Sequence, residues 1–247
     1  MIALQKKDGI EEAVRSIAAG DFVNKAPAIY SVSETDEDAF SFGQIMYMGA
    51  KRLFDIAFGL IGIVLLIPMM LIVKICYLVS GDKDPIMFKH ERLGKDGKKI
   101  EMWKFRTMIP NAESKLSEVL KNEEFRKEWE SSQKIANDPR ITKAGKVLRR
   151  LSIDEFPQFI NVLTGDMSLI GPRPLVAGEL EKHGGIKLYQ KVKPGITGWW
   201  ACNGRSSVGY DERLELEYYY IENYGLALDV MCFLKTIMVV LKKENAY

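Results

Sequence analysis

One run of residues stands apart in the hydropathy pattern. From Ile56 to Val73 the chain reads IAFGLIGIVLLIPMMLIV, 18 residues without a charge or a strongly polar side chain. Lys51, Arg52 and Asp55 precede it and Lys74 follows. About 20 apolar residues cross a hydrocarbon core of roughly 30 Å, so the run predicts a membrane segment over 50–80, apolar on all sides. Pro68 lies two-thirds of the way along. It removes a backbone hydrogen bond and crowds the preceding turn, which predicts a kink. Basic residues at both ends leave the positive-inside rule without a preference. The segment either spans, or breaks at Pro68 and returns to the face it entered.

The rest of the pattern is short and mixed. Residues 1–49 read as an acidic extension, partly disordered, with a short helix near 9–19 and a polar stretch SVSETDEDAF that has little to bury. After SGDKDP, two alternating apolar pieces flank GKDGKK, which predicts a β-hairpin. Leu116, Val119, Leu120 and Trp129 recur at helical spacing through a charged background, which predicts one solvated amphipathic helix over 112–134. NDPRITKAGKVLRR reads as loop, then helix. A further helix follows to about Leu163, and TGDMSLIGPRP returns as loop. KPGITGWWACNGRSS reads as Gly-rich loop and strand, and DERLELEYYYIENY as amphipathic. LALDVMCFLKTIMVVLKK is a second, less apolar helix; Asp229 and Lys235 argue against a full span and for burial at a membrane interface.

Composition narrows the class. The chain has 247 residues, 47% hydrophobic and 28% charged, which excludes wholesale disorder. Net charge is +2, yet residues 1–50 hold four Lys/Arg against eight Asp/Glu, so the remainder is basic. A basic body suits an anionic partner such as a nucleic acid, a nucleotide or a lipid headgroup. Three scattered cysteines and two histidines fit neither a disulfide framework nor a zinc site. The N-terminus has no signal-peptide apolar core, which predicts a chain that is not exported.

The candidate chemistry centres on VLRRLSIDEFPQFINVL, where Arg149 and Arg150 precede an adjacent Asp154–Glu155 pair. Ser152 with Glu155 three residues on has the spacing of a capping box, so these acids on their own predict a helix start. No Walker A loop, dinucleotide fingerprint or zinc-protease motif is present. What recurs is arginine or lysine in short Pro/Gly-punctuated elements: WKFRTM, DPRIT, LRRLS, GPRP and NGRS. Rigid turns hold a guanidinium where bidentate phosphate contact needs it. Together with the carboxylate pair, these five elements predict a diphosphate pocket that also holds a divalent metal.

The order of these motifs, from KRLFDIAFGLIGIVLLIPMMLIV through FKHERLGKDGKKIEMWKFRTM and NDPRITKAGKVLRRLSIDEFPQFINVLTGDMSLIGPRPL to KPGITGWWACNGRS, resembles the bacterial sugar transferases, the monotopic phosphoglycosyl transferases. The resemblance covers roughly residues 50–247. It implies an α+β protein: a compact catalytic domain over 81–247 on the cytoplasmic face, a re-entrant helix over 50–80 kinked at Pro68, and peripheral amphipathic helices. It implies transfer of a sugar-1-phosphate from a UDP-sugar to undecaprenyl phosphate, with release of UMP, at the inner membrane. Carried onto this chain, the nucleophile is Asp154, the assisting and Mg²⁺-binding carboxylate is Glu155, and the phosphate-binding cations are Lys104, Arg149, Arg173 and Arg205. Where the family has serine before the proline this chain has Ile67, so the bend rests on Pro68 and packing.

The expected partners are therefore the UDP-sugar, the lipid phosphate and the phospholipid membrane, with self-association allowed and no nucleic acid. The helix start and nearby arginines are expected to keep Asp154 ionised. The NAY terminus and the NGRS context favour a hexose, galactose or glucose, over an N-acetylated sugar. Two rivals make different predictions. A metal-dependent glycosyltransferase releases UDP instead of UMP, and a membrane-anchored scaffold binds nucleotide or lipid without turnover.

Overall fold

The computed structural model describes residues 42–132, 135–180, 185–203 and 209–242. Helix α1, Phe42–Val79, begins upstream of the apolar run and continues through Pro68 as one 38-residue element. At 1.5 Å per residue it is about 57 Å long. Asp55, Gly59, Gly62, Leu66, Val73 and Tyr77 form its buried stripe. Only 22% of its apolar window is buried, too little for the core helix of a water-soluble domain. Leu60, Ile61, Val64, Leu65, Leu71 and Ile72 lie exposed on the remaining surface. The stripe is invisible in the hydropathy pattern because apolar residues occupy both faces.

Polar contacts hold α1 at both ends of that stripe. Near its start, Lys51 Nζ donates to the Ile170 carbonyl (2.9 Å) and pairs with Asp229 (2.6 Å). Arg52 donates to the carbonyls of Val162 (2.7 Å) and Leu163 (2.8 Å). Buried Asp55 accepts from the Ser168 hydroxyl and the Leu169 amide through one oxygen. Near its end, the Tyr77 hydroxyl donates to the Arg106 carbonyl. Arg106 in turn pairs with Asp82 at 2.8 Å.

The hairpin forms as the alternation predicts. Strands β1 (Met87–Leu93) and β2 (Lys99–Phe105) pair antiparallel, Met87 opposite Phe105 and Leu93 opposite Lys99. Their turn places Asp96 and Gly97 in the left-handed region, at φ 57° and 71°. The amphipathic stretch after the hairpin is two helices, α2 (Leu116–Val119) and α3 (Glu123–Ser132), instead of one. Asn122 divides them: its side-chain oxygen accepts from the amides of Glu124 and Phe125 and so starts a new helix.

Helix α4 (Lys143–Arg150) opens on Thr142, whose hydroxyl accepts from the Gly145 amide at 2.9 Å. Gly145 is required there, because a Cβ would run into the Thr107 carbonyl. A 3-10 turn over Ile153–Glu155 leads to α5 (Gln158–Thr164). Strands β3 (Ser168–Ile170) and β4 (Gly195–Thr197) form a second, parallel pair. Short helices α6 (Ile186–Tyr189) and α7 (Trp199–Cys202) flank β4, and α8 (Tyr210–Asn223) and α9 (Leu226–Lys242) complete the α+β fold. Two charges of α9, Asp229 and Lys235, turn inward. Asp229 accepts from Tyr47, Lys51 and Tyr220. Lys235 donates to Asn203 at 2.6 Å. The outer side of α9 is left apolar, with Leu226, Val230, Leu234 and Ile237 exposed.

Candidate active site

The acid pair does not sit in a capping box. Ser152 adopts a left-handed conformation (φ 54°, ψ 25°) and makes no side-chain cap bond; its amide instead closes α4 onto the Arg149 carbonyl. Helix α5 starts only after Pro157, which has no N–H to leave unpaired in a first turn. Asp154 and Glu155 are therefore presented on a tight turn between two helices. The flanking Ile153 and Phe156 pack against Leu66, Val73 and Tyr77 of α1, together with Phe105 and Leu148. The turn carrying the acids thus shares a core cluster with the apolar helix, and the Asp154 charge reaches Tyr77.

Two of the four predicted cations, Lys104 and Arg149, act on this turn, and a third, Arg173, lies on a neighbouring carboxylate cluster. Lys104 of β2 contacts Glu155 Oε1 at 3.2 Å. That pair is partly exposed and contributes little to stability by itself. Arg149 donates from Nε to the Thr107 hydroxyl at 2.9 Å. Arg173, from the GPRP turn, is held by Glu179 at 2.7 Å, and its amide donates to Glu217. The fourth, Arg205, lies outside the described residues.

Burial raises the Asp154 carboxyl above its usual range. Lys104 and Arg149 pull it down and Glu155 pushes it further up. Desolvation is thus the largest single influence on Asp154, and the two cations that favour its ionised form offset it in part.

Two other arginines of the basic motifs are structural. The Arg140 guanidinium is bound by Asp138 through both oxygens and donates to the Ala112 carbonyl. Arg106 spends Nε on Pro85, Nη1 on Met108 and Nη2 on Asp82. Neither has a guanidinium edge left for a ligand. Spacing could not separate them from Arg149 or Arg173, since all four follow or precede turn residues.

Several residues of the site went unmarked by any motif. Glu179 receives Arg173, Arg213 and the Val176 amide. Glu217 is fully buried, and burial pushes its carboxyl up to about 8. His90 is lowered to about 4 by burial and by Arg92, Lys104 and Arg173, so it is neutral at pH 7. The decisive signals are non-local: Lys104 and Arg173 reach His90, and Arg213 reaches Glu179, from other parts of the chain.

Among the described residues no group of three or more His, Cys, Asp or Glu is arranged to hold a metal. The carboxylate pair still fits a magnesium ion, which is bound by one or two carboxylates with waters and substrate phosphates completing its shell. Glu155 suits that part, since its side chain is 45% exposed.

Fold and site together define a class: an α+β domain with one helix long and apolar enough to cross a membrane, and a carboxylate pair on a turn that Lys104 and Arg149 attend. The family model for bacterial sugar transferases matches residues 46–243, and the chain belongs to that family. A UDP-galactose-lipid carrier transferase of Erwinia amylovora is 43% identical over 199 residues, covering 80% of this chain and 41% of the relative. An undecaprenyl-phosphate galactose phosphotransferase of Salmonella typhimurium is 42% identical with the same coverage. The exopolysaccharide production protein ExoY of Sinorhizobium fredii is 37% identical over 200 residues, 80% of this chain and 88% of that protein. The chain thus spans about two-fifths of the length of the first two relatives and most of the third.

Proposed function

We propose that the chain transfers a hexose-1-phosphate, galactose first and glucose second, from a UDP-sugar to undecaprenyl phosphate and releases UMP. One observation carries this reading: the acid pair and its cations sit on a turn packed against the apolar helix. A water-soluble, doubly charged donor and a lipid-borne phosphate can meet only at such a place. The names of the first two relatives, which specify galactose and a lipid carrier or undecaprenyl phosphate, agree with it.

Phosphoryl transfer depends on alignment and charge neutralisation more than on acid–base strength. An ionised Asp154 oxygen attacks the sugar-linked phosphorus. A P–O bond forms as the bond to UMP breaks in line, and UMP leaves with that electron pair. The resulting sugar-phosphoryl-aspartate is an acyl phosphate of the kind carboxylate nucleophiles form. An oxygen of the acceptor phosphate then attacks the same phosphorus and returns Asp154 as carboxylate. Lys104, Arg149 and Arg173 orient the phosphates, and Arg205 is assigned the same part from the family motif. Glu155 is the residue that would hold Mg²⁺, which supplies further neutralisation of phosphate charge.

The helix is proposed to enter and leave the same leaflet, bending at Pro68, with the domain on the cytoplasmic face. Contacts from Lys51 to Tyr77 cover about 39 Å of helix axis, more than the hydrocarbon thickness. A straight crossing would demand one polar domain on both sides of the bilayer.

Asp154→Asn tests the nucleophile. With radiolabelled UDP-galactose it should abolish both UMP release and the protein-bound label, a loss of at least about a thousandfold. Retained turnover would remove Asp154 from the role, and release of UDP in place of UMP would favour transfer of the sugar alone.

A further inference from the structure

The hairpin carries a charge that the mechanism above does not use. Residues directly opposite in an antiparallel pair share a face, so Phe88, His90 and Arg92 line up with Lys104, Met102 and Ile100. Met102 and Ile100 are buried, which makes this the inner face. Arg92 is only 9% exposed there. Its Nη2 meets His90 Nδ1 at 3.2 Å, while Nε and Nη1 are closed to solvent and have no hydrogen-bond acceptor. A guanidinium nitrogen is always a donor, so the neutral His90 accepts through an unprotonated Nδ1.

The charges around Arg92 do not resolve this. Arg173 is the influence of like sign, and Glu179 and Glu155 are the opposing ones. Both Glu179 oxygens are already engaged, Oε1 by Arg173 and Arg213 and Oε2 by the Val176 amide. Glu155 contacts Lys104. Hydrogen bonds left unmade by a buried charge are costly, and that cost is recovered when an anion with several acceptor oxygens arrives.

We propose that Arg92 is a phosphate-binding residue, pairing its Nε–Nη2 edge with two oxygens of a phosphate held beside Arg173. The inference rests on the reaction proposed above. The side chain turns from His90 to do so, exchanging one contact with a neutral nitrogen for two parallel, charge-assisted bonds. The phosphate belongs either to the nucleotide or to the lipid acceptor; the chemistry of recognition is the same.

Thermal unfolding of the purified membrane-reconstituted protein separates the cases. Wild type, Arg92→Met and Arg92→Lys are compared without additive and with UMP, UDP-galactose, a short-chain prenyl phosphate or pyrophosphate. Without additive, Arg92→Met should unfold at a higher temperature than wild type, because the unpaired charge is gone. Its dissociation constant for the phosphate ligand should rise about tenfold or more. Arg92→Lys, which lacks the planar edge, should recover only part of the affinity. Loss confined to UMP and UDP-galactose assigns the nucleotide phosphate, and loss confined to the prenyl phosphate assigns the acceptor. Undiminished stabilisation of Arg92→Met by every ligand that stabilises wild type overturns the proposal, as does a lower unfolding temperature without additive. Wild type protected by pyrophosphate alone, with that protection lost in Arg92→Met, would keep Arg92 and sink the UDP-sugar reading. Wild type protected by none of the four would sink both.

Discussion

Thr107 binds Arg149 through its hydroxyl, and Arg149 is one of two cations that draw the Asp154 carboxyl down against burial. A nucleophile must be ionised, so activity falls as pH drops through the Asp154 pKa, and anything that weakens Arg149 moves that limb upward. Thr107→Val is expected to lower kcat/KM about tenfold and shift the acid limb of its pH profile to higher pH, while Thr107→Ser restores both. A limb that stays in place in the valine variant would show that Thr107 does not act through Arg149. Single residues were legible in the chain only where local chemistry marked them. Asp154 and Glu155 declare themselves by adjacency and by the arginines before them. Arg140 and Arg149 look alike in sequence, yet a carboxylate two residues away consumes the first and leaves the second. Arg92 shows nothing until strand pairing turns it inward.

At the scale of elements, α4 and the segment just after β2 approach so closely that the Thr107 carbonyl occupies the space of a side chain at Gly145. Gly145→Ala sets two effects against each other. A helix interior gains about 1 kcal/mol from alanine over glycine, whereas overpacking a rigid backbone contact costs about 1–3 kcal/mol. The clash is with backbone, so the steric cost should win. The variant should unfold at a lower temperature by a few degrees, with a larger loss of activity because α4 carries Arg149; a raised unfolding temperature would contradict this. The hairpin, α4 and the apolar helix were readable because periodicity and turn chemistry are local. The Ser152–Glu155 spacing misled for a physical reason. The same four residues can start a helix or, with Ser152 left-handed, finish the previous one, and the closure of α4 onto Arg149 decides between them. Likewise, nothing in the charged background of 112–132 outweighs the competing cap at Asn122.

For the whole molecule, polar anchors at both ends of α1 belong to one domain, which sets the expected topology. In a Cys76→Ser background, Phe42→Cys and Gly81→Cys should both resist a membrane-impermeant maleimide in intact cells and both react once the membrane is opened. Labels on opposite sides would require a crossing helix. The packing of Ile153 and Phe156 on Leu66, Val73 and Tyr77 has a wider consequence. A tether can be exchanged for any other tether of the right length, but here one surface of the apolar helix belongs to the core cluster that supports the turn of the proposed nucleophile. Grafting the domain onto a foreign anchor would deliver it to the bilayer with that support missing. On the proposed function, lipid attachment and chemistry are thus one inherited unit, and substitutions on the inward stripe of α1 are expected to lower activity where those on its outward side do not.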